Sequence, residues 1–166
     1  MTFKNQFIIV AAISNLAFLS ARAAPTAFID VPVCHWASTA INAVAGEVAA
    51  PAKNVSTAQN AVRQMFEGLQ CGSADWVSRF VEGAPAGLSA AATSKVLRSY
   101  SLEFGKSVVN GANASVAFTA NLSYTTASGV VTIKRSGTAR LNVSDETGWK
   151  VIYASLSSFN LPFLPK

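Results

Sequence analysis

The chain is predicted to be an α+β protein, with its helices first and its strands after. Two observations carry this. Up to about residue 99, apolar residues recur at helical spacing. From Tyr100 onward they alternate one by one between turn signals, so one face of a sheet is apolar and needs the earlier helices as its cover. The length, 166 residues, suits one domain preceded by a leader.

The N-terminus does not read as part of that domain. A short polar start with Lys4 leads into the 13-residue apolar run Phe7–Leu19. Ala21 and Ala23 then stand at the alternate small positions that a signal peptidase reads. Residues 1–23 are therefore expected to be a secretory signal cut before Ala24, the run being too short for a spanning helix. The mature chain is expected to carry no membrane segment and to be secreted, or periplasmic in a bacterium. Residues 24–33, with two prolines, read as an extended leader. Removing Lys4 and Arg22 leaves 11 basic and 8 acidic residues, net +3. The cations are scattered without aromatic interleaving, which argues against a nucleic-acid partner.

The first helix is predicted over Cys34–Ala50, with Ala37, Ile41, Val44 and Val48 on one face and Pro51 as its stop. A second begins at Ser56, a candidate cap whose capping-box partner would be Gln59. Ala58, Val62, Met65, Phe66 and Leu69 form its stripe, and Gly72 suits a left-handed C-cap. Two helices of similar length joined by a short link fold back antiparallel. Cys34 and Cys71 then lie at the same end, and an oxidising compartment favours a disulfide there. Closing such a loop is worth about 4 kcal/mol in the chain-entropy model. The alternative is two free buried thiols. A third helix, Ser73–Val81, is capped by Ser73 or Asp75 and buries Trp76, Val77, Phe80 and Val81. A short helix follows within Ser89–Ser99.

The strands come next. Tyr100, Leu102 and Phe104 alternate with polar residues. Asn110-Gly111 marks a turn. Val116, Phe118, Ala120, Leu122 and Tyr124 share one face of the following strand. Val131, Ile133, Ala139, Leu141 and Val143 share a face of the next, with Thr132, Lys134, Thr138, Arg140 and Asn142 opposite. "GWKVIYASLSSF", Gly148–Phe159, reads as the final strand. Four sequons, at Asn54, Asn113, Asn121 and Asn142, would be glycan acceptors in a eukaryotic host.

The order of these parts, with "VVNGANASVAF" before a long strand pair and "GWKVIYASLS" at the end, resembles the nuclear transport factor 2-like superfamily, which includes the SnoaL-like proteins. The resemblance covers about residues 56–159. It implies a strongly curved sheet wrapped around helices, a cone with a pocket at its open end, and in many members a dimer formed through the sheet. The helix Cys34–Ala50 is extra to that pattern, so the domain is taken as residues 34–166. Enzymes of the superfamily place a carboxylate, His or Tyr in the cone.

Few residues here meet that requirement. His35, the only histidine, lies outside the resemblance. One His and a paired Cys couple offer no metal-ligand spacing, and no cofactor is expected. The stretch where isomerase-like members carry a catalytic Asp holds only Glu82, so Glu82 and Tyr124 are the sole catalytic candidates. Arg135 falls on an apolar strand face. It must be paired, must face a wet cavity, or must be turned outward by a bulge near Gly137. Tyr100, Tyr124 and Tyr153 join it as candidate pocket residues. The expectation is a domain that binds a small apolar or amphipathic ligand, or a protein partner, through cone or sheet. The alternatives are a SnoaL-like isomerase, cyclase or dehydratase, and a homodimer or larger oligomer assembled through the sheet.

Overall fold

A computed structural model describes residues 52–166. The expected signal, the leader, the helix Cys34–Ala50, and with them Cys34 and His35, lie outside the described residues. From residue 52 the order is α1 (Val55–Cys71), α2 (Ala74–Phe80), β1 (Val81–Glu82), α3 (Gly87–Thr93), β2 (Leu97–Asn110), β3 (Asn113–Thr126), β4 (Gly129–Ser144), β5 (Gly148–Ile152) and a 3-10 helix, Tyr153–Phe159. The strands form one sheet in the order β1-β5-β4-β3-β2. β1 pairs with β5 in parallel and the other pairs are antiparallel. Helices before, curved mixed sheet after, is the α+β arrangement expected, and it is consistent with a cone-like nuclear transport factor 2-type fold.

α1 starts two residues earlier than the sequence suggested. Asn54, not Ser56, is the N-cap: its side chain accepts from Thr57 N at 3.0 Å, and Asn54 N donates back to Thr57 Oγ1 at 3.1 Å. The pattern at Ser56 was misleading because Asn caps as well as Ser, and Thr57 can return the bond that Gln59 was expected to make. Gln59 reaches instead to Ser107 Oγ at 3.1 Å. The stripe Ala58, Val62, Met65, Phe66 and Leu69 is buried as predicted. Gly72 ends the helix with φ 74°, its N–H donating to Gly68 O. Ser73 caps α2 through Trp76 N. Gly68 lets α2 approach closely, since a Cβ there would stand 2.7 Å from Val77 Cγ2. Among the described residues no cysteine is free; the expected pairing of Cys71 with Cys34 falls outside them.

β2 is longer than predicted and is interrupted by register shifts at Leu97/Ser99 and Phe104/Ser107. The second shift changes which side chains point inward, so Val109 is half-buried while Val108 is 45% exposed. Gly111, φ 57°, turns the chain into β3 as expected of Asn-Gly. β3 and β4 then pair without a shift from Asn113↔Asn142 to Thr126↔Gly129. No bulge occurs at Gly137, and Arg135 stays on the inner face with Ile133 and Ala139.

The last element departs from expectation. β5 stops at Ile152, and Tyr153–Phe159 is a 3-10 helix rather than a continuing strand. The serines explain the change. Ser155, Ser157 and Ser158 donate their hydroxyls to Ile152 O, Ala154 O and Ser155 O, each bonding three residues back. These bonds favour a tight turn over a sheet edge. The core lies between α1 and the inner sheet face, with Trp149, Phe66 and Phe159 its largest fully buried side chains. Trp149 donates to Thr57 Oγ1 at 3.0 Å, tying β5 to the cap of α1.

Candidate functional site

The segment after β5 decides what space the inner sheet face leaves. In a 3-10 helix residues three apart share a side. Leu156 and Phe159 therefore both turn inward and are buried. Phe159 stacks on Phe118 with centroids 4.4 Å apart and planes at 20°. It also covers Gly137, the cross-strand partner of Phe118. Asn160, at φ 46°, reverses the chain, and Leu161 returns to the core. Phe163 then packs on Tyr124 at 5.7 Å, and the Tyr153 hydroxyl donates to Pro165 O. The chain's own C-terminal segment thus occupies part of the hollow that the sheet forms.

Between the 3-10 helix and this returning segment lies a cavity of about 510 Å³. Tyr153, Leu156, Leu161, Leu164 and Pro165 make its mainly apolar lining, and Lys166 is its charged member. That volume falls in the range of small-molecule sites. Burial raises the Tyr153 phenol above its ordinary value, which favours the protonated hydroxyl that donates to Pro165 O.

The other predicted pocket residues do not join Tyr153 in this cavity. Tyr124 abuts the returning segment through Phe163. Tyr100 lies against Phe66, centroids 5.6 Å apart, with its hydroxyl donating to Arg63 O at 3.4 Å. Its pKa is pushed up to about 12, chiefly by burial and further by Glu67, with Arg63 opposing. Arg135 is half-buried opposite Ala120 and donates to Lys134 O at 3.1 Å; among the described residues it has no carboxylate partner.

The two catalytic candidates are far apart. Glu82 sits on the edge strand β1 and accepts from Asn142 Nδ2 at 2.9 Å. Asn142 faces the start of β3, whereas Tyr124 stands eleven residues along it. At ~3.3 Å per residue that is about 36 Å of strand, beyond any shared reaction centre. Among the described residues no three His, Cys, Asp or Glu side chains gather as a metal site, and no helix is long and apolar enough to cross a membrane. Of the sequons, Asn54 and Asn113 are exposed. Asn121 and Asn142 lie on the outer sheet face with their amides donating to Ser101 Oγ and Glu82.

Sequence reasoning overlooked Leu156, Leu161, Leu164 and Pro165. A signal was available in "LPFLPK": closely spaced prolines bar both helix and strand, yet the residues between them are large and apolar and need cover.

No known sequence family and no curated protein matches the chain. Solved structures do resemble it. A variant of Rv3472, a protein of unknown function from Mycobacterium tuberculosis, superimposes with a TM-score of 0.44 at 15% identity, over 58% of this chain and 66% of that one. The CaMKII hub of S. rosetta gives 0.44 at 12% identity, over 61% and 93%. An LEH-like epoxide hydrolase of M. tuberculosis gives 0.38 at 16%, over 66% and 89%. This chain thus spans just under two thirds of the Rv3472 structure. None of these likenesses bears on activity, and the fold stands on the topology described above.

Proposed function

We propose that the protein is an exported, non-catalytic binding domain of the nuclear transport factor 2-like kind. Its ligand is a small amphipathic anion, with the apolar tail between the 3-10 helix and the C-terminal segment and the head group at Lys166. The observation that carries this reading is the cavity itself: an apolar lining of ligand size with a single cation at one side. Export rests on the signal features of residues 1–23, and the Cys34–Cys71 disulfide and sequon glycosylation belong to the same reading. The separation of Glu82 from Tyr124 supports binding over catalysis.

The test is calorimetric titration of the secreted protein with dodecanoate and dodecanol. Dodecanoate is expected to bind more tightly. Lys166→Glu is expected to remove that preference, and Leu164→Asp to weaken both ligands at least tenfold. Equal binding by wild type and Leu164→Asp would place the ligand elsewhere. Intact mass of the same sample reports cleavage before Ala24, the disulfide and any glycan.

A further inference from the structure

A second concavity lies on the outer face of the sheet, meeting the apolar cavity only at Ala154 and Ser157 of the 3-10 helix. Two adjoining grooves of about 410 Å³ each share Arg140 and Ile152. Ser115 is the cross-strand partner of Arg140, and Val108 is in turn the partner of Ser115, so one row crosses three strands. The backbone of Arg140 is fixed: its N–H donates to Ser155 Oγ at 3.0 Å, and that hydroxyl donates to Ile152 O at 2.7 Å.

The guanidinium itself has no carboxylate or hydrogen-bond partner among the described residues. The neighbouring acids are engaged elsewhere, Asp145 with Lys53 and Glu146 with Arg79 and Lys150. Glu82, aligned with Ile152 on the same face, receives the Asn142 amide. Its backbone stands two strands from Arg140, roughly 10 Å at ~4.8 Å per strand, and its carboxylate is bonded to Asn142 instead.

We propose that this groove binds an anionic saccharide, its carboxylate or sulfate on Arg140 and its ring across Ser115 and Ile152. A planar fork of donors left free is suited to a two-oxygen anion. The rest of the lining narrows the class. Asn110, Ser115 and Thr138 have side chains without a partner among the described residues, and they offer both donors and acceptors to ring hydroxyls. Ser157 and Ser158 spend their protons on backbone carbonyls, so they present acceptor lone pairs. Val108, 45% exposed, and half-buried Ile152 supply apolar surface for the C–H face of a sugar. The lining contains no carboxylate to favour a cation and no aromatic ring to stack a nucleobase.

The experiment is an NMR amide-shift titration of the full exported chain, made in a bacterial host so that Asn113 carries no glycan. The probes are glucuronic acid, glucose 6-sulfate, glucose and inorganic sulfate. The anionic sugars are expected to shift Ser115, Thr138, Arg140 and Ile152, and to bind at least tenfold more tightly than glucose or sulfate. The ratio between the two anionic sugars distinguishes carboxylate from sulfate recognition. Arg140→Ala is expected to lose at least tenfold with Arg140→Lys in between, and Thr138→Phe to block the groove without changing charge. Glucose binding as tightly as the anionic sugars, inorganic sulfate matching glucose 6-sulfate, or shifts confined to other residues would overturn the proposal. Dodecanoate is expected to leave these amides unmoved, which keeps this result separate from that of the apolar cavity.

Discussion

Substituting Gly137 tests whether the C-terminal segment is part of the core. A Cβ built at Gly137 meets three Phe159 ring atoms at 2.9, 3.0 and 3.0 Å, where ordinary contacts begin at 3.4 Å. The ring would have to withdraw by about half an ångström, yet it is stacked on Phe118 and sits in a fully buried position. Overpacking of this kind costs ~1–3 kcal/mol, so Gly137→Ala is expected to be destabilised by that amount. Phe159→Ala alone is expected to cost ~3–5 kcal/mol through lost burial and the cavity left behind. Because the two residues touch, the effects are not additive: with the ring gone the alanine methyl has room, and the penalty at 137 largely disappears. Urea unfolding of the two single variants and the double variant, read from the midpoint at constant slope, measures this. A Gly137→Ala penalty of the same size with and without the Phe159 ring would refute the placement of Phe159 over β4.

Further outcomes follow from other contacts. Thr57→Val strands the buried indole N–H of Trp149 and removes half of the α1 capping box, so a loss of ~1–3 kcal/mol in urea unfolding is expected, with Thr57→Ser retaining most of the stability. Tyr100 has a folded pKa above its unfolded value of about 10, so its neutral form is favoured by folding. The folded state therefore binds more protons than the unfolded one above pH 10, and this contribution to stability is full below pH 10 and lost as pH rises toward 12. A phenolate absorbance titration is expected to show a transition near pH 12 that Tyr100→Phe removes. Tyr153→Phe deletes the donor to Pro165 O, and ~1 kcal/mol of local opening is expected as faster hydrogen exchange at the Leu164 amide, itself bonded to Leu161 O.

Strand alternation made much of the sheet legible. Val116 to Leu122 face inward on β3 as read, and Arg135 keeps the inner phase because β3 and β4 run in unbroken register. Features decided by distant partners were not legible. β1 is two residues long and exists only through its parallel pairing with β5. The Phe104/Ser107 shift reverses the phase of β2 without a local signature beyond Gly105. The final strand was overextended because "VIY" reads as β, while the serine hydroxyls that end it act on their own backbone. The sequence places Tyr100, Tyr124, Tyr153 and Arg135 in one hollow because the return of "LPFLPK" over the sheet depends on partners far away in the chain. That return separates Tyr153 from Tyr124 and supplies new walls of its own.

The bond from Trp149 to Thr57 spans 92 residues, and Leu156, Phe159 and Leu161 seal the same interior. During synthesis α1 emerges long before Trp149 and the C-terminal segment that complete its cover. Until the stretch from Trp149 to Leu161 has left the ribosome, only the α1–α2 pair and the β2–β3 and β3–β4 hairpins can close through neighbouring contacts. The nascent protein thus completes its core late, which exposes it to self-association. Shortened forms ending before Leu161 are expected to accumulate as aggregates rather than as smaller folded proteins.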